Sequence, residues 1–218
     1  MGAVLRMSRY ARLLMLVALL GACTNSSDDF ENMKLILAPD KVGFNPRFVA
    51  LAEAGSTVPA LQVAFVEQAL ASTVLLESTR DGIDTWLTPD GATLITKQGM
   101  LVGTRGFGAG MLASDVDQPL AMVLGGREGF SDRFHTFLNG NDEANTRTYR
   151  CEIKNRGARE VIVGDKPIQT RLMAEDCRSL DQSFLNLFWV SDTGNRIVQT
   201  RQWTGDFLGI VTTRVVPR

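Results

Sequence analysis

The spacing of apolar and polar residues divides this chain into a short leader and a long strand-rich remainder. Three arginines, Arg6, Arg9 and Arg12, precede an unbroken apolar run at residues 13–20, which ends in the small pair Gly21-Ala22. That run is too short to cross a bilayer as a helix, and with its basic flank it reads as a signal peptide over residues 1–22. Residues 24–29 (Thr-Asn-Ser-Ser-Asp-Asp) are polar and without period, which predicts a flexible tether over residues 23–33. Residues 30–37 suit a short helix stopped by Pro39. Residues 46–54 suit a second, with Pro46 in its first turn, Phe48, Leu51 and Ala52 on one face, and Gly55 after it.

From Val58 onward the period shortens to two. Residues 69–79 are rich in β-branched and aliphatic side chains, and Arg80-Asp81-Gly82 turns the chain back. Residues 83–88 alternate around Trp86, Pro89-Asp90-Gly91 makes the next turn, and residues 92–97 return, so the three runs predict a β-meander. Residues 99–110 carry five glycines but match no phosphate-binding spacing, and read as a strand with bulges or tight bends. Residues 112–143 are mixed, with a break at Gly125-Gly126 and a short helix expected at 131–138. Beyond them, strands are expected at 146–153, 160–163, 168–174, 184–190, 196–203 and 207–216. Turns fall at Arg156-Gly157, Gly164-Asp165 and residues 192–195, and the 160–163 run is expected to pair back on 146–153. The expected fold is mostly β: an antiparallel β-sandwich or open barrel with short N-terminal helices, in one domain over residues 34–218.

Leu20-Gly21-Ala22 is followed at once by Cys23, which resembles the lipobox of bacterial lipoproteins. A thiol can accept a diacylglycerol as a thioether, and cleavage before Cys23 would free an α-amine for a further acyl chain. Two or more chains anchor stably where one does not. The residue after the cysteine is Thr24; an Asp there would favour inner-membrane retention, so its absence favours an outer-membrane anchor with the domain facing the periplasm. Cleavage leaves 196 of the 218 residues, enough for a core of its own. The whole chain carries 23 basic and 24 acidic residues, and loss of the three leader arginines leaves the mature domain weakly acidic. No basic cluster marks a nucleic-acid surface.

Beyond Cys23, only Cys151 and Cys177 remain. A pair exported to an oxidising compartment is expected to bridge. His135 is the single histidine, no GxSxG nucleophile elbow is present, and no His/Cys/carboxylate spacing suits a metal. No catalytic, metal or cofactor set is therefore assigned. The carboxylate pairs Asp115 with Asp117 and Asp142 with Glu143 are the only basis for a glycan-modifying enzyme, the alternative reading. Trp86, Arg105, Arg201 and Trp203, with Trp189 nearby, sit in strand contexts. They are the candidate contacts for glycan or a partner protein, since aromatic faces suit sugar rings and guanidinium forks suit acids.

The C-terminal third carries Tyr149-Arg150-Cys151, Glu175-Asp176-Cys177, Asn186-Leu187-Phe188-Trp189-Val190, Gly194 and Arg201-Gln202-Trp203. Earlier come Asp90-Gly91 and the run from Gly99 through Thr104-Arg105-Gly106-Phe107-Gly108. Together these resemble the YjbF/GfcB lipoproteins of exopolysaccharide and group 4 capsule gene clusters, over most of residues 60–216. The resemblance implies a β-rich, periplasm-facing lipoprotein of the outer membrane that assists polysaccharide production or export. It implies an outer-membrane barrel and other secretion proteins as partners, with the polysaccharide itself a further candidate. It carries no catalytic residues to transfer.

Overall fold

The computed structural model describes residues 43–138, 141 and 143–217. Cys23, the tether, the helix expected at 30–37 and Asp142 lie outside them.

The described chain opens with α1 (Pro46–Glu53), where Asn45 Oδ1 accepts the Arg47 amide at 2.9 Å and Pro46 occupies the first turn, as the spacing predicts. A meander follows: β1 (Ala60–Phe65), β2 (Leu70–Arg80), β3 (Ile83–Leu87), β4 (Thr93–Lys97) and β5 (Met100–Arg105). β6 (Met111–Asp115) leads into α2 (Asp117–Leu124), and then come β7 (Gly129–Leu138), β8 (Ala144–Val163), β9 (Lys166–Arg178), β10 (Ser183–Ser191), β11 (Ile197–Trp203) and β12 (Ile210–Val215). All twelve form one antiparallel sheet in the order β5-β4-β3-β2-β1-β12-β11-β10-β9-β8-β7-β6. Two meanders are thus joined by their first and last strands, with Gln62 opposite Arg214 in the β1–β12 pair.

The sheet curls into a nearly closed barrel whose seam lies between β5 and β6. Closure there uses side chains. Arg105 Nη1 donates to the carbonyls of Thr104 at 2.7 Å and Leu112 at 2.9 Å, and Thr104 Oγ1 donates to Met111 O at 3.3 Å. Glycine eases the close approach at Gly103, where a Cβ would sit 3.2 Å from Leu112 O. At Gly110 it would run into Thr104 Oγ1. The glycine-rich stretch is therefore a seam between two strands that approach closely without a backbone ladder.

The barrel is flattened. Gln202 on β11 reaches across the interior to β5, accepting from Leu101 N at 2.9 Å and donating to Gly99 O at 3.0 Å. One apolar cluster gathers Leu61, Val63, Val74, Trp86, Leu94, Leu101 and Val211. A second packs Val116, Leu120 and Val123 of the α2 region against Ile153, Met173, Phe188 and Val190. Sandwich and barrel, the two expected alternatives, meet in this shape.

Two expectations are corrected. Residues 131–138 are strand, not helix: all of them lie in β7 and pair with β8, Arg133 facing Tyr149 and His135 facing Arg147. The alternation was inverted, with Ser131, Arg133 and His135 turned inward and Phe130 and Phe134 left exposed, so the usual apolar signal of a strand was missing. Arg156-Gly157 is likewise a bulge inside the twenty-residue β8, where Gly157 sits at φ 83° and donates to Asn155 Oδ1. Both halves of β8 pair with β9 instead of with each other.

Cys151 and Cys177 face each other across the β8–β9 ladder and form the bridge, with Cα atoms 3.9 Å apart. Both are fully buried. The loop they close spans 26 residues, so reduction should lower the unfolding free energy by about 3 kcal/mol on the chain-entropy estimate. The ladder on both sides should keep the fold intact. Denaturant titration of oxidised and reduced protein, with circular dichroism confirming the same strand content, checks this.

Candidate functional site

The four nominated side chains go to four different places. Trp86 is buried in the first apolar cluster, its indole Nε1 donating to Thr96 Oγ1 at 2.9 Å, with one face on a cavity at an end of the barrel. Arg105 is the seam residue described above. Trp203 stacks on Phe184 with ring centroids 4.5 Å apart, within a cluster that includes His135 and Tyr149. Arg201 lies on the outer face, where Nη1 donates to Leu185 O at 3.3 Å. There it joins Trp189, the tryptophan set beside these four.

That outer face forms a groove of about 600 Å³. It is assembled by register across five adjacent strands. One row runs Thr73, Gln62, Arg214, Gln199 and Trp189 from β2 to β10. The next runs Ala71, Ala64, Thr212 and Arg201. The second row is small except for Arg201, and the first row carries the longer side chains. Arg214 is held by its Nε donating to Gln199 Oε1 at 2.7 Å. The described lining offers two guanidiniums, two amides, several hydroxyls and an indole, with no carboxylate. Such a surface can stack a ring, hydrogen-bond hydroxyls and accept anionic groups.

Arg214, Gln62 and Gln199 went unnoticed in the sequence because the β1–β12 pairing, between strands about 150 residues apart, is what brings Gln62 beside the Arg214–Gln199 pair of β11 and β12. A basic residue within an alternating C-terminal strand was the one available signal.

The interior holds a polar centre. Arg133, His135, Glu175 and Asn186 are all inaccessible to solvent. Arg133 Nη1 lies 2.8 and 3.1 Å from the two Glu175 carboxylate oxygens, and its Nε donates to His135 Nε2 at 2.8 Å. Asn186 Nδ2 donates to the same carboxylate at 2.8 Å, and Asn186 Oδ1 accepts the Trp203 amide at 2.8 Å. The Glu175 carboxylate also lies close to the sulfurs of Cys151 and Cys177. Those sulfurs are consumed in the bridge and the carboxylate is held by Arg133 and Asn186, so the three groups are not free to ligate a metal.

The acid pair at the start of α2 is also engaged. Asp115 accepts the Asp117 amide at 3.1 Å, and Asp117 pairs with Lys97 at 2.5 Å.

A family model for the group 4 capsule polysaccharide lipoprotein GfcB, YjbF, matches residues 47–216. The chain belongs to that family. Among solved structures it is similar to the hypothetical lipoprotein YmcC of Escherichia coli K12, at TM-score 0.67 and 17% identity, over 89% of this chain and 97% of that one. At that identity the likeness speaks for the fold. No curated protein matches the chain in sequence.

The buried centre makes two outcomes measurable. Arg133→Met strands a buried carboxylate and should cost about 3–5 kcal/mol, while Arg133→Met with Glu175→Leu should cost less than either single change. A double-mutant cycle by denaturant unfolding reads this. His135 is held neutral, its pKa well below the usual histidine value because burial, and then the Arg133 charge, disfavour the imidazolium. Below about pH 6.5 the unfolded chain takes up a proton that the folded ring refuses, so stability should fall with acidification by up to about 1.4 kcal/mol per pH unit. His135→Gln, which keeps an acceptor for Arg133, should flatten that slope. Because the chain has one histidine, its loss isolates the effect.

Proposed function

We propose that this capsule-family lipoprotein is a non-enzymatic accessory component of polysaccharide production and export. It acts from the periplasmic face of the outer membrane, where an acylated Cys23 holds it, and it works by contact. The observation that carries the reading is the outer groove, in which β-sheet register places Trp189, Arg201 and Arg214 along one surface free of carboxylates. A polymer of hydroxyl-rich rings bearing acidic groups matches that surface in shape and charge. Anchoring raises the local concentration of such a contact at the membrane, so that modest affinity suffices. Partners in this reading are the polymer and the envelope proteins that export it, an outer-membrane barrel among them.

Among the described residues no helix is long and apolar enough to cross a membrane, so membrane attachment in this reading rests on the lipid. Mass spectrometry of the mature N-terminus should find a triacylated or diacylated Cys23, and Cys23→Ser should leave the protein unlipidated. An unmodified Cys23 would remove the anchor from the account.

For the function itself, deletion of the gene should lower surface polysaccharide. Arg201→Ala with Trp189→Ala should reproduce much of that loss at equal protein level, since both side chains are part-exposed and carry little of the core. The purified mature domain should release no oligosaccharide from the polymer. Release of fragments, or loss of export in Asp115→Asn with Asp117→Asn at unchanged stability, would point to the glycan-modifying enzyme instead.

A further inference from the structure

One end of the barrel holds a cavity of about 800 Å³ that adjoins the outer groove at Gln199 and Thr213. Its floor and inner wall are Leu61, Trp86, Thr96, Val198 and Thr213, and Val163, Ile168 and Val215 continue the apolar surface outward. The opening is framed by strand ends: the start of β1, the end of β12, the β4–β5 turn, the β8–β9 hairpin tip and the beginning of β11. Three prolines, Pro59, Pro167 and Pro217, stand in this frame. Each has a fixed φ and no amide hydrogen to satisfy, which limits the backbone freedom of the opening. The hairpin tip is held in place as well, since Gly164 approaches Pro217 so closely that a Cβ there would lie 2.7 Å from its ring. On the other side Gly99 sits against Ile197. A cavity of this size at the mouth of a barrel is a common form of small-molecule site, and little ordering entropy is lost on filling it.

The charges at the opening select the occupant. Lys166 and Arg196 come from two different hairpin tips, are exposed, and have no ion-pair partner among the described residues. The one carboxylate in the lining, Asp84, already accepts from Thr79 Oγ1 at 2.6 Å. Apolar walls thus lead inward from a cationic opening. We propose that this cavity binds an anionic amphiphile, with an apolar body against Trp86, Val198 and Val215 and a phosphate or carboxylate head between Lys166 and Arg196. The site does not depend on the polysaccharide reading, because the two share only Gln199 and Thr213: Lys166, Arg196 and Trp86 line the cavity alone, and Trp189, Arg201 and Arg214 line the groove alone.

The test is isothermal titration of the full mature chain, carrying Cys23→Ser to keep it free of lipid, with four probes below their micelle concentrations. Dodecyl phosphate and dodecanoate supply the two kinds of anionic head, dodecyl maltoside supplies the chain without charge, and inorganic phosphate supplies the anion without the chain. At least one anionic amphiphile should bind ten-fold or more tighter than both the maltoside and phosphate, and whichever binds tighter identifies the head group. Lys166→Glu with Arg196→Glu should weaken it at least ten-fold, as should Ile168→Trp, which fills the opening. These positions are exposed or half-buried, and unchanged thermal unfolding confirms that the variants fold. Arg201→Ala, in the outer groove, should leave the affinity unchanged. Equal binding of the maltoside, no binding of either anionic amphiphile, insensitivity to the variants at the opening, or loss of binding in Arg201→Ala would each overturn the proposal.

Discussion

The ion pair between Arg133 and Glu175 is the constraint around which the interior is arranged. Both groups are wholly removed from water, and each such charge costs several kcal/mol to desolvate unless its hydrogen-bonding capacity is met. The structure meets it from several strands at once: Glu175 from β9, Asn186 from β10, His135 from β7 beside Arg133, and the Leu101 carbonyl of β5 at 3.5 Å from Arg133 Nη2. A pairing that shifted any of these strands by one residue would turn its member of the network to the outer face and strand the others. The pair therefore contributes more to uniqueness of register than to net stability. Around the seam the same pair reaches β5 through Leu101 O, and Gln202 of β11 reaches β5 across the interior.

The same network explains where the sequence could and could not be read. The meander from β2 to β4 was legible because turn residues fall where the strands reverse: Asp81-Gly82 at positive φ, and Gly91 donating back to Thr88 O. The Cys151–Cys177 bridge was legible from compartment and count. β7 was not, since its inward residues are Ser131, Arg133 and His135, and polarity alone marks such positions as surface. His135 itself, which falls in the helix expected at 131–138, is enclosed by Phe137, Tyr149, Phe184 and Trp203. Helix α2, as short as α1, was hidden by a helix start that uses Asp115, two residues before Asp117, instead of a capping side chain at Val116.

Candidate binding residues were readable only as types. Aromatic and arginine side chains in strands could be named, but their grouping depends on which strands become neighbours. Arg105 and Arg201 look alike in sequence, each in a strand, with Gly106 next to one and Trp203 two residues from the other. One is spent closing the seam through Leu112 O, and the other stands on an open groove. Local pattern cannot separate these roles, because both are decided by contacts at long sequence distance.

Sheet order also places the groove. The seam lies between β5 and β6, the two ends of the twelve-strand order, while the groove spans β2, β1, β12, β11 and β10 in its middle. The groove thus sits on a stretch of sheet where neighbouring strands are joined by backbone ladders, with one register shift at Trp189/Val190, far around the barrel from the one junction held by side chains. Rows of side chains on such a ladder keep their spacing without help from the ligand, so binding there orders little that was not ordered already. The groove also bridges the first and last strands, which join the two meanders. A ligand lying across Gln62, Arg214 and Gln199 would hold β1, β12 and β11 together, and by mass action it would stabilise the junction that joins the two meanders.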